Sequence, residues 1–123
     1  MRREERVLVV ELSPAISPMI SSALSRDADM ELVTEIATDG WDAIEKLRDG
    51  DYAAIVIDSD LPRRSGFGVL TWLREENGEE LDNVIVVASD GGDSVRHRVS
   101  DRLRIVAKDD AVNEVEKLIR ARG

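Results

Sequence analysis

The stretch Ala53-Ala54-Ile55-Val56-Ile57-Asp58-Ser59-Asp60-Leu61-Pro62 decides how this chain folds. It is a short, unbroken apolar run with β-branched members, closed by polar residues and a proline. That is the pattern of a strand buried on both faces of a parallel sheet. Asp58 then stands at the C-terminal edge of the strand. In open α/β sheets ligands bind in the crevice beyond the carboxyl ends of the strands, so the place of this carboxylate suits chemistry. An acid in such a loop also serves simple solvation, and the flanking sequence has to decide between the two.

Working outward, the same signature recurs in Val7-Leu8-Val9-Val10, which ends at Glu11, in Val84-Ile85-Val86-Val87-Ala88, and in Leu103-Arg104-Ile105-Val106-Ala107, which ends at Lys108. Glu31 to Ile36 is less apolar, as an edge strand should be. Helical spacing runs through Ile16, Ile20, Ala23 and Leu24, through Ala43, Ile44 and Leu47, through Phe67, Leu70 and Leu73, and through Val112, Val115, Leu118 and Ile119. A further helix is expected around residues 93–100, on weaker periodicity. Asp39 is placed to cap the second helix and Gly50 to end it. The first helix has two candidate starts, Ser13-Pro14 and Ser17-Pro18, each a cap residue followed by proline. The loop Leu61 to Gly66 is expected to feed the third helix, which runs out near Asn77-Gly78.

Five strands alternating with five helices through short connections predict an α/β, doubly wound, five-stranded parallel sheet. The flavodoxin-like order 2-1-3-4-5 is the expected topology. Glu11, Asp58, Ala88 and Lys108 then close strands at one edge of the sheet.

Composition narrows the function. Acidic residues outnumber Lys and Arg by 26 to 17, a net charge of -9, which argues against direct nucleic-acid binding. Without cysteine there is no disulfide framework and no thiolate chemistry. No apolar run approaches the roughly 20 residues of a membrane span. The N-terminus Met1-Arg2-Arg3-Glu4-Glu5-Arg6 leads into a strand rather than a signal-peptide core. A cytoplasmic, non-membrane protein is expected. The single histidine, His97, makes histidine-based metal binding a poor reading.

Taken in order, the Val7 to Val10 strand with its terminal acid, the turn Ala37-Thr38-Asp39-Gly40, the segment Asp58-x-x-Leu61-Pro62-x-x-x-Gly66 and Lys108 after the last strand give the chain its likeness. It resembles the receiver domain of bacterial response regulators in two-component phosphorelay signalling, over essentially its whole length. The resemblance implies one domain over residues 1–123, stand-alone or excised from a longer regulator. It implies that Asp58 accepts a phosphoryl group from a histidine kinase or phosphotransfer protein, and that Lys108 contacts that group. A metal site of Glu11, Asp58 and the backbone carbonyl of Asp60 is also implied. Such a domain is not an enzyme beyond self-dephosphorylation.

Four positions depart from the family pattern. Receivers usually carry two adjacent acids after the first strand, and here the pair is Glu11-Leu12. Leucine supplies no oxygen, so binding of Mg²⁺ is expected to be weak or absent. The Ser or Thr that normally ends the fourth strand is Ala88, and the aromatic switch position in the fifth strand is Ile105. Asp109 follows Lys108 where the family has proline, and a cis peptide there would cost about 3 kcal/mol, so a trans bond is expected. An atypical receiver, or a pseudo-receiver that recruits partners without phosphorylation, fits this pattern. Arg96, Arg98, Arg102 and Arg104 form a basic cluster across the fourth helix and fifth strand. In the family this region, with the last helix, is commonly an output or homodimer face. A different class is also open, because Ile55-Val56-Ile57-Asp58-Ser59-Asp60 resembles the nucleophile motif of haloacid-dehalogenase-type phosphatases.

Overall fold

The computed structural model describes residues 3–25, 30–58, 63–88 and 104–122. In chain order these form β1 (Arg3–Val10), α1 (Ile16–Leu24), β2 (Met30–Ala37), α2 (Gly40–Asp49), β3 (Ala54–Asp58), α3 (Arg63–Asn77), a 3-10 helix over Gly78–Asn83, β4 (Val84–Val87), β5 (Arg104–Val106), a 3-10 turn over Lys108–Asp110 and α4 (Ala111–Arg122). The helix expected over 93–100 lies outside the described residues.

The sheet is parallel throughout and its order is β2-β1-β3-β4-β5, with β2 at one edge as its composition suggested. Strand alternation sorts the apolar runs into two cores. Leu8, Val10, Ile55, Ile57, Val84 and Val86 face one side, where α2 and α3 cover them with Ala43, Val69, Leu70 and Leu73. Val7, Val9, Ala54, Val56, Ile85 and Val87 face the other, where α1 and α4 supply Ile16, Ile20, Leu24, Ala111, Val115, Leu118 and Ile119. Every residue of β3 up to Ile57 is therefore buried. That is why its sequence is a continuous apolar run rather than an alternating one.

Several boundaries differ from those the sequence suggests. β1 begins four residues early, at Arg3, because residues 3–6 pair with β2 alone while the ladder to β3 starts at Val7. A strand section with one neighbour tolerates the charged Glu4 and Arg6. Neither Ser13 nor Ser17 caps α1, which starts at Ile16 after an Ala15 whose own side chain makes no capping hydrogen bond. Pro18 falls in the first turn, where its missing N–H removes nothing from the helix. α3 starts at Arg63, so the Arg63 to Gly66 segment is helix rather than loop. The 3-10 helix after α3 was not anticipated. It turns Leu81 into the core beneath β4.

The second helix follows expectation. The Asp39 carboxylate accepts the Asp42 N–H at 2.8 Å, and Gly50 follows the last turn. Gly50 is extended rather than left-handed, and its use is proximity. A Cβ there would stand 2.5 Å from the Arg6 guanidinium. Arg6 spans β1 and β2 by donating Nε and a terminal nitrogen to Glu35, and it also lies 4.9 Å from the centre of the Tyr52 ring.

Candidate functional site

Asp58 is the last residue of β3, half-buried and in register with Val87 of β4. One residue further, Ala88 continues the pairing by donating its N–H to the Val106 carbonyl at 3.0 Å, which holds β5 against β4 up to the sheet edge. Beyond β5 the chain passes Ala107 and enters the 3-10 turn that begins at Lys108, closed by the Asp110 N–H on the Ala107 carbonyl. These three strand exits and the first residues of α1 enclose a pocket of about 350 Å³, lined by Ala15, Ile16, Asp58, Val87, Ala88, Ala107 and Lys108. A carboxylate and an exposed ammonium group are thus brought to one crevice by four separate segments meeting at the C-terminal edge of the sheet.

Glu11 also stands at that edge, yet its carboxylate is turned under α1. Oε1 accepts the Ala15 N–H at 2.6 Å and Oε2 the Ile16 N–H at 2.9 Å, and the Ser17 N–H and hydroxyl approach at 3.3 Å. The residue is 1% exposed. This is the cap of α1, provided from the end of β1 instead of from the residue before the helix. The open amide groups of a helix start favour an anion, and here the anion is the protein's own. Leu12, the next residue, is 67% exposed and carries no side-chain oxygen.

The remaining site positions fall as follows. Asp60 lies outside the described residues, as do Arg96, Arg98 and Arg102. Arg104 opens β5, is exposed, and donates to the Asp82 carbonyl. Ile105 is half-buried against the α2–α3 core. Ala88 is buried and brings only a methyl group to the pocket wall. Sequence reasoning placed Asp58, Ala88 and Lys108 together at one sheet edge. The capping role of Glu11 escaped it. The signal available was an acid just ahead of a helix with no good cap of its own.

Mg²⁺ demands a near-octahedral shell of oxygens. Among the described residues, Asp58 is the one acid lining the pocket, and none of the acidic clusters has the makings of a metal site. With both Glu11 oxygens committed to α1 and leucine at position 12, these donors do not fit such a cation.

The family model of the response regulator receiver domain matches residues 7–120. The chain belongs to that family. Among curated relatives, a protein-glutamate methylesterase/protein-glutamine glutaminase of Methanospirillum hungatei is 31% identical over 84 residues, covering 68% of this chain and 24% of that protein. The transcriptional regulatory protein DltR of Streptococcus agalactiae is 39% identical over 70 residues, covering 57% of this chain and 30% of that protein. The receiver domain thus corresponds to a minor part of each. Among solved structures, the response regulator TrrA of Thermotoga maritima, in complex with Mg(2+)-BeF, superposes with a TM-score of 0.69 at 24% identity, covering 93% of this chain and 98% of that one. The receiver domain of the Francisella response regulator 1452 gives a TM-score of 0.67 at 21% identity, covering 97% of this chain and 99% of that one. At these identities the structures speak for the fold. Membership of the receiver family leaves the dehalogenase-like reading of Asp58 and Asp60 without support. Among the described residues, no helix is long and apolar enough to cross a membrane.

Proposed function

We propose that this receiver domain accepts a phosphoryl group on Asp58 from a histidine kinase or phosphotransfer protein, with Lys108 holding the transferred oxygens. The observation that carries the reading is the shared pocket, in which Asp58 and Lys108 come from two different strand exits. An Asp58 carboxylate oxygen bonds phosphorus as the phosphorus–nitrogen bond of a phosphohistidine breaks. The departing imidazole takes a proton from solvent and leaves neutral. Charge on the phosphoryl oxygens is what such a transfer must neutralise, and among the described residues lining the pocket the Lys108 ammonium is the cation available.

Intact mass after incubation with acetyl phosphate tests this. Wild type should gain one phosphoryl mass, Asp58→Asn none, and Lys108→Ala less than wild type. An adduct that persists in Asp58→Asn, or none in wild type from either acetyl phosphate or a phosphohistidine donor, would refute it.

A second reading is favoured by a specific observation. Ala88 offers no hydroxyl to a phosphoryl group and Ile105 occupies the switch position already packed on the core. Such a domain suits a phosphorylation-independent interaction module, and the same mass measurement separates the two. Partner recognition, by an effector or a second copy, would use the face of β5 and α4 that carries Arg104.

A further inference from the structure

We infer that Glu11 is withdrawn from cation binding and acts as the built-in anion of α1, so that the Asp58 pocket takes up no divalent cation at millimolar concentrations. The inference concerns the unphosphorylated domain and does not rest on the phosphotransfer reading.

The bonding of Glu11 carries it. Each carboxylate oxygen accepts a short hydrogen bond from a backbone N–H of the α1 start, at 2.6 and 2.9 Å, and the N–H and hydroxyl of Ser17 close the remaining approach. The group is 1% exposed, so these donors have little water to turn to if it leaves. Ligating a metal would require the carboxylate to abandon all of them and to leave several buried polar groups unpaired, a penalty that a single new ligand does not offset. Nor does the neighbouring residue help, since Leu12 has no oxygen.

The same geometry has a second effect on the pocket. Ala15 and Ile16 line it, but their N–H groups are already spent on Glu11. A helix start is often a ready anion site. Here that function is consumed internally, so any anion in the pocket must be held from the β5 side, where Lys108 stands.

The test is cation binding by the intact protein. Titration calorimetry with MgCl₂ and MnCl₂ is run on wild type, Asp58→Asn and Glu11→Gln, with thermal melts in MgCl₂ and in KCl of matched ionic strength. A cation bound with a dissociation constant of about 1 mM would raise the melting temperature by about 5 °C at about 10 mM. The expected result is no saturable heat, no difference between the two salts in wild type, and a lower melting temperature for Glu11→Gln that is the same in both. Saturable binding by wild type that is lost in Asp58→Asn overturns the inference, and further loss in Glu11→Gln would identify Glu11 as a ligand. If Glu11→Gln fails to fold, wild type against Asp58→Asn decides alone.

Discussion

Replacing Glu11 by alanine should destabilise this domain more than any other change to a charged side chain described above. The carboxylate is 1% exposed and receives the Ala15, Ile16 and Ser17 amides together with the Ser17 hydroxyl. Losing a helix cap costs about 1 kcal/mol, the favourable meeting of a carboxylate with a helix start adds up to about 2 kcal/mol when partly buried, and buried donors left without an acceptor add more. These contributions overlap, and a total of about 3 kcal/mol is the expectation. For a domain of this size that is a drop of about 12 °C in melting temperature. Glu11→Gln keeps one acceptor oxygen but loses the charge, and should fall between the two proteins. Thermal and urea melts of all three measure it, with far-ultraviolet circular dichroism to confirm the native helix content. A loss below about 1 kcal/mol for Glu11→Ala would refute the reasoning, because it would mean that water or another side chain caps α1 equally well.

Two other expectations rest on different parts of the molecule. Ile55, in the middle of the central strand and wholly buried, should cost about 4 kcal/mol on replacement by alanine, whereas Ile36→Ala at the 38% exposed edge position should cost under about 1 kcal/mol. Urea midpoints at unchanged slope measure both, and equal losses would contradict the two-sided core. Tyr52 gives a pH dependence. Burial chiefly, and then the Glu35 carboxylate, hold its phenol above the ordinary range, with Arg6 opposing. The unfolded chain therefore loses this proton first, so the contribution to stability is whole below about pH 10 and declines as pH rises through that value towards the folded one. Tyr52→Phe should lose less stability than wild type between about pH 8 and pH 11, and parallel melting curves across that range would exclude the effect.

The parts of this fold that read directly from sequence are those in which a residue's role is set by its neighbours along the chain. Ala54 to Ile57 reads as a central strand because burial on both faces leaves no room for a polar residue, and Asp39 reads as a cap because the amide it accepts is three residues away. The parallel order followed from the alternation of strands and helices. Glu11 is legible as an acid at a strand exit, but the donors that claim it belong to the next element, and its role depends on how closely α1 returns to the sheet. Arg63 to Gly66 reads as loop because proline precedes and glycine closes the segment, yet α3 already includes it. The pocket was legible as a convergence of strand ends. What lines it besides Asp58, Ala88 and Lys108, namely Val87, Ala107 and the start of α1, required the structure.

The overhang of β1 has a consequence for how molecules of this protein meet one another. From Arg3 to Arg6 the strand pairs with β2 on one side, while its ladder to β3 begins only at Val7. The Ala53 N–H bonded to the Arg6 carbonyl at 2.8 Å covers the last step of that gap. Before it, residues 3–5 have no ladder partner on that side among the described residues, the kind of edge to which a strand from another chain can add itself, although Glu5 within it is buried. The Arg-Glu-Glu-Arg sequence along this stretch makes in-register parallel pairing with a second copy place like charges opposite one another. A run so polar at the start of an otherwise aliphatic strand therefore disfavours that self-pairing where β1 outruns β3, its eight residues against five.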